Sequence, residues 1–265
     1  MRRKTVQKRK KSTCSVLILS TLAFLVIVPV GYMIVCSFQK ETGTGFSLMG
    51  YYHVFLAEPG YLMKFWRSLA LCLAIACGQT IVSCMAGTAF AKYRVIGKKV
   101  LFGLMLLFML LPIQVTLLPN YILLDRLQFL NSWKALIIPG IFAPFGTVWL
   151  TFVFRSLPGE MLEAASLDGA NRLQNVFLIL APAARPSVIT LFILSFVESW
   201  NMVEQPITFL EGVRQYPLSV FLAGIQGNSM AVQSVCGILC LFPVTFLFFY
   251  HQEELMEGIG ESIWN

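Results

Sequence analysis

Residues 155–182 read RSLPGEMLEAASLDGANRLQNVFLILAP and separate two apolar runs, 135–154 and 187–207. The stretch is too long and too patterned for a connector. Pro158 opens a helix where its missing N–H is harmless, and Glu160 follows in the first turn, on the favourable side of the helix dipole. Gly169 is placed to close that helix in a left-handed conformation. Asp168 is placed to cap a second helix from about Ala170, in which Leu173, Val176, Phe177 and Leu180 recur at helical spacing. The expectation is a helix-turn-helix lying parallel to a membrane. On these grounds alone, an ordinary amphipathic interfacial segment accounts for the same pattern.

The surroundings are built for lipid. The chain has 265 residues, 57% of them hydrophobic and 12% charged, far from the composition of a soluble domain. Apolar runs near the roughly 20 residues that cross a hydrocarbon core fall at 16–36, 69–91, 100–119, 135–154, 187–207 and 232–250. They lack the alternation of barrel strands, and an α-helix alone satisfies its own backbone in lipid. The expected fold is all-α and polytopic, with six transmembrane helices. The segments read as a basic cytoplasmic arm (1–15), a first span (16–36), a core with five spans (62–252) that includes the loop 156–182, and an acidic cytoplasmic tail (253–265).

The net charge of +7 does not point to nucleic acid. Arg2, Arg3, Lys4, Lys8, Arg9, Lys10 and Lys11 precede the first apolar run and act as a topology signal, with no second basic surface elsewhere. The run 16–36 exceeds the apolar core of a secretory signal and has no small-x-small cleavage site, so it reads as retained. Lys92, Arg94, Lys98 and Lys99, then Arg155, Arg172 and Arg185, mark the loops after the second and fourth spans as inward. The other loops balance Lys40 with Glu41, Arg126 with Asp125 and Arg214 with Glu211. Both termini are therefore expected in the cytoplasm of a bacterial cell, with the chain in its inner membrane. Cys14, Cys36, Cys72, Cys77, Cys84, Cys236 and Cys240 lie in or beside apolar runs without metal or redox spacing, and read as small hydrophobes.

The spacing Glu163-Ala164-Ala165, Gly169, Ile179, Pro182 resembles the "EAA" loop of permease subunits in binding-protein-dependent ABC importers. Around it, Arg155-Ser156-Leu157-Pro158, Asp168-Gly169-Ala170, Pro112, Gln114, Pro119, Tyr121, the Leu-Ile-Ile-Pro stretch ending at Pro139, and Ser199-Trp200-Asn201 resemble the carbohydrate-type branch. That branch includes the smaller maltose permease subunit. The resemblance spans roughly 62–260. Ala181 replaces the usual Leu, Met202 stands where an acid is common, and the tail carries Glu253, Glu254, Glu257 and Glu261 instead of basic residues.

The resemblance implies a type I importer permease fold and a set of partners. These are a dimeric ABC ATPase that binds ATP and Mg, a second homologous permease forming a heterodimer, and an extracellular solute-binding lipoprotein delivering a sugar. The chain itself has no phosphate loop, since Gly97-Lys98-Lys99 lacks the upstream glycine and the hydroxyl, so no cofactor and no catalytic residue are expected in it. Each ATPase would take one loop 156–182 into a surface cleft. Glu163 offers a carboxylate to a basic group, Ala164 and Ala165 allow close helix approach, and Asp168 and Gly169 form the turn.

A polar path is expected on the fifth span, where Glu198, Asn201 and Gln205 fall at i, i+3 and i+7 with Trp200 and Glu204 at the edges. Carboxylates, amides and an aromatic ring suit a hydroxyl-rich sugar; pairing of Glu198 with a partner subunit explains the same charge. Gln79 and Gln114 read as helix–helix contacts, and His53 and His251 have no neighbours for a metal site. Outer segments 39–64, 120–134 and 208–231, the last punctuated by Gly212, Pro217, Gly224, Gly227 and Asn228, are long enough to meet a delivered binding protein. Another polar solute such as glycerol phosphate stays open as cargo. A secondary transporter finds support only in Glu198, and an intramembrane enzyme finds none.

Overall fold

The computed structural model describes residues 2–40, 45–58, 60–94, 96–212, 215–224 and 229–263, and side chains within these except at 2–15, 223 and 259–263. The side chains of the basic arm and Cys14, together with Glu41, Arg214, Gly227, Asn228 and the side chain of Glu261, lie outside this description. The described chain is helical throughout, apart from turns and one isolated bridge between Gln39 and Phe46. The principal helices are α1 (Arg2–Ser37), α2 (Gly60–Lys92), α3 (Lys98–Leu110), α4 (Ile113–Arg126), α5 (Lys134–Ile141), α6 (Pro144–Ser156) and α7 (Glu160–Leu167). They continue as α8 (Arg172–Ala183, with a π-helical stretch at Asn175–Leu180), α9 (Arg185–Trp200), α10 (Glu204–Phe209), α11 (Leu218–Ala223), α12 (Met230–Tyr250) and α13 (Gln252–Ile263).

Four segments are long and apolar enough to cross a membrane: Val16–Ser37, Gly60–Lys92, Lys134–Ser156 and Met230–Tyr250. Two bent pairs, α3 with α4 at 112° and α8 with α9 at 92°, bring the number to six if each counts as one span. The chain divides into two compact units, Met1–Leu62 with Ile225–Leu241, and Met63–Gly224 with Phe242–Asn265.

In the first unit the apolar stretch of α1 is exposed almost throughout, with Phe24, Leu25 and Val35 each at least 67% accessible. That is the surface of a helix meant for lipid rather than water. Its far end is anchored: Ser37 bonds Tyr51 at 2.9 Å, and Phe38 stacks on Phe46 with centroids 5.2 Å apart. A side chain at Gly237 of α12 would overlap Met33, so the glycine permits close helix contact.

The second unit is organised around α2. A Cβ at Gly87 would lie 3.0 Å from Leu150, and one at Gly146 would overlap the Ser83 hydroxyl, so α2 and α6 cross at small residues. Intramembrane threonines mostly satisfy themselves: Thr80, Thr88 and Thr151 each donate to the carbonyl four residues back. One apolar cluster joins Cys84, Leu150, Val153, Phe154, Val176, Leu180, Ala184 and Leu191. It ties α2 and α6 to α8 and α9. A second gathers Leu71, Ile75, Leu124, Ala135, Leu136, Phe209 and Leu210.

The helices differ from the apolar runs in three places. The run at 69–91 begins where Lys64 and Arg67 end, whereas α2 starts at Gly60 because a helix tolerates charges in its first turns beyond the hydrocarbon. The run at 100–119 is broken at Pro112, whose backbone is extended (φ −63°, ψ 147°) and whose ring cannot continue the helix. The run at 187–207 ends at Trp200: Asn201 closes α9, and α10 begins only at Glu204.

Candidate functional site

Between α6 and α9 the chain folds as two short helices around Gly169. Helix α7 starts at Glu160, two residues after Pro158, so the proline precedes the helix instead of opening it. The C-terminus of α7 is a Schellman motif. Ala170 N donates to Ala165 O at 2.9 Å, Gly169 N donates to Ser166 O at 3.2 Å, and Gly169 has φ +83°. Asp168 is the residue at which α7 ends, not the cap of the next helix. That cap is Asn171, whose extended backbone aims its side-chain oxygen at Gln174 N (2.9 Å) while the Gln174 side chain accepts from Asn171 N (2.7 Å). This is a reciprocal capping box. Replacing Asn171 with Ala is expected to cost the second helix about 1 kcal/mol, read as faster amide exchange across residues 172–180.

The two helices present one face inward and one outward. Ala165 is buried and Met161 and Leu162 half-buried, while Glu160, Glu163, Ala164 and Leu167 form an exposed stripe. Ala165 packs within the chain, whereas Ala164 is exposed. Leu167 is 89% accessible, and Leu173 and Leu178 are also exposed. No sequence rule singled out Leu167, because a leucine on an amphipathic helix reads by default as inward. Elsewhere the assembly is anchored by cations. Lys92 donates to the Leu157 carbonyl at the end of α6, Arg155 lies over the Phe102 ring at 5.0 Å, and Arg172 over Tyr93 at 5.5 Å. Trp149 donates to the Ser187 carbonyl at 3.3 Å. The element is thus seated on the ends of α2, α6 and α9.

The polar residues of the fifth run do not share one helix. Glu198 is exposed on α9; Asn201 is exposed and donates to its own Val197 carbonyl at 2.9 Å; Glu204 and Gln205 open α10. The stripe is broken where the helix is interrupted at 201–203. Trp200 is 6% accessible, stacked on Phe196 at 5.6 Å and edge-on to Phe65 at 5.9 Å. In its place the structure brings in Gln114, whose amide donates to Glu204 at 2.9 Å from the first turn of α4. This bond joins the helix break at Pro112 to the one between α9 and α10. Gln79 instead is buried and accepts from Ser195, a contact between α2 and α9. His251 lies 3.7 Å from Glu254, and no group of three or more metal-ligating side chains occurs among the described residues.

Residues 79–255 match the family model described as binding-protein-dependent transport system inner membrane component. The chain belongs to this family. It is a multi-pass permease subunit of ABC importers, a transport component and not an enzyme, and such systems work with ATPase and binding-protein partners. The permease is 26% identical over 253 residues to the arabinooligosaccharides transport system permease protein AraQ of Halalkalibacterium halodurans, covering 90% of this chain and 91% of that protein. It is 26% identical over 210 residues to the sn-glycerol-3-phosphate transport system permease protein UgpE of Escherichia coli, covering 75% and 74%. In fold it matches a crystal structure of a bacterial ABC transporter involved in import of the acidic polysaccharide alginate, with TM-score 0.81, 19% identity, and coverage of 92% of this chain and 96% of that one.

Proposed function

We propose that this permease carries a neutral sugar or oligosaccharide and takes its energy through α7 and α8. The observation that carries the reading is the turn at Gly169, which fixes two short helices and leaves Glu163, Ala164 and Leu167 open on one face. An exposed leucine beside a carboxylate, held on a rigid element, fits a partner with an apolar pocket and a basic rim. That partner is one subunit of an ATPase dimer that binds ATP and Mg. The arm lies on the cytoplasmic side with both termini, a second homologous permease completes a heterodimer, and a solute-binding lipoprotein delivers cargo to the outer loops.

Glu198, Asn201, Glu204 and Gln205 line the path in this reading. Glu198 and Glu204 have no ion pair among the described residues, so an anionic solute such as glycerol phosphate meets uncompensated negative charge, while hydroxyl groups meet acceptors. The similarity to AraQ, an arabinooligosaccharides transport permease, supports the same choice. The test is ATP-driven, vanadate-sensitive uptake into vesicles carrying the complete transporter, with labelled arabinooligosaccharide and glycerol 3-phosphate compared. Uptake of the sugar is the expected result; uptake of the phosphate alone would remove the sugar reading, and uptake on an ion gradient without ATP would remove the ABC mechanism. Glu198→Gln with Asn201→Ala is expected to weaken the apparent affinity for that sugar about tenfold, as loss of one or two hydrogen bonds implies. An unchanged affinity would exclude these residues from the path.

A further inference from the structure

The acidic segment after the last span has no part in the coupling scheme above, yet the structure gives it a definite seat. Glu253 and Glu254 stand in the first turn of α13, where the helix dipole favours them. Glu254, Leu255 and Gly258 share one face; Leu255 and Gly258 are buried, whereas Glu253, Met256 and Glu257 are exposed. The buried face lies on the first two turns of α9. Thr190 donates its hydroxyl to the Glu254 carbonyl at 3.2 Å. A Cβ at Gly258 would overlap that hydroxyl and stand 2.9 Å from the Pro186 carbonyl oxygen.

Two details make this contact more than incidental. Thr21, Thr80, Thr88, Thr151 and Thr208 all give their hydroxyls to the carbonyl four residues back in their own helix. Thr190 instead turns to another helix. Gly258 sits inside α13, where glycine costs roughly 1 kcal/mol against alanine, and the close approach to Pro186 accounts for its presence. The site is also mechanically placed. Pro186 and Thr190 lie in the first two turns after Ala184, where α8 meets α9 at 92°. The first turn of a helix has no intrahelical partners for its N–H groups and frays readily, and Pro186 contributes no N–H at all.

We propose that α13 is a brace that locks the first two turns of α9 and so holds the angle between the coupling arm α8 and the span α9, with Gly258 as its positioning residue. The consequence for transport rests on the coupling role proposed above; the bracing itself does not. Movement of α8 is then passed to α9 instead of being absorbed in the joint between them.

The test uses the full-length permease in its assembled transporter, with the native cysteines replaced. A cysteine at Leu255 reports whether α13 is seated, by maleimide labelling. Spin labels at Leu173 on α8 and Leu194 on α9 report the angle of the joint. With Gly258 present, labelling is slow and the inter-label distance has a single narrow peak. Gly258→Leu is expected to raise labelling about tenfold, as local opening of a seated element does, to abolish the single peak, and to lower uptake more than ATP hydrolysis. Thr190→Val, which keeps the shape and removes the hydrogen bond, shifts the same readings in the same direction by less. Glu257→Leu on the exposed face leaves them unchanged. Continued protection of position 255 in Gly258→Leu would overturn the close-approach argument, and a released α13 with an unaltered distance peak would overturn the brace. Failure of the coupling role alone would show differently: the labelling and distance changes would occur while ATP hydrolysis and uptake moved together.

Discussion

Gly169→Val leaves the permease in the membrane at its normal level and abolishes transport. The backbone at Gly169 has φ +83°, and a side chain there would have nothing within 4 Å, so the obstacle is conformation and not space. A β-branched residue held in that region costs about 1–3 kcal/mol, comparable to the two hydrogen bonds that close α7. The turn therefore relaxes, and α7 and α8 lose their fixed relation. Insertion is unaffected because the spans do not depend on this turn. Gly169→Asn provides the control: asparagine is larger than alanine but enters the left-handed region more easily, so it is expected to retain more transport than Gly169→Ala. Immunoblotting of membranes together with ATP-driven uptake separates the two effects, and normal uptake by the valine variant would remove the turn from the mechanism.

Phe154→Ala is expected to destabilise the second unit by about 3–5 kcal/mol, the range for a buried phenylalanine replaced without collapse of its site. Phe154 is fully buried in the cluster that joins α2 and α6 to α8 and α9. Leu150, Val176, Leu180 and Leu191 belong to three different helices of that cluster, so filling the cavity requires more than one helix to move. Phe154→Leu is expected to cost less, since most of the volume remains. Cys84, itself 2% accessible within the same cluster, supplies an internal probe. Its reaction with a thiol dye on heating should begin at a clearly lower temperature in Phe154→Ala, and an unchanged onset would show that the cluster does not hold these helices together.

How much of this could be read from residues alone varies with the kind of signal. The apolar runs identify membrane helices because lipid imposes a length and a composition, but neither quantity records direction. The bend at Pro112 and the helix end at Asn201 were therefore hidden inside runs that looked continuous. Gly169 was legible, since a glycine after an amphipathic stretch has few other uses. The cap of α8 was legible too, in the spacing from Asn171 to Gln174, but Asp168 lies nearer the glycine and competes for the same role. Burial on so short a helix as α7 depends on tertiary packing, which is why Ala165 and Leu167 fall on opposite faces from those their residue types suggest. Trp200 shows the same limit from the other side: its ring is held by Phe65, which is distant in sequence. The seat of α13 rests on contacts between residues 64 positions apart, and no local pattern announces it.

In the coupling proposed above, the exposed face of α7 meets an ATPase. A photoreactive amino acid introduced at Leu167, activated in native membranes and followed by mass spectrometry of the adduct, tests it directly. A covalent product containing an ATP-binding subunit is the predicted result. Capture of lipid alone, with no ATPase attached at position 167 while the transporter remains assembled and active, would contradict this contact.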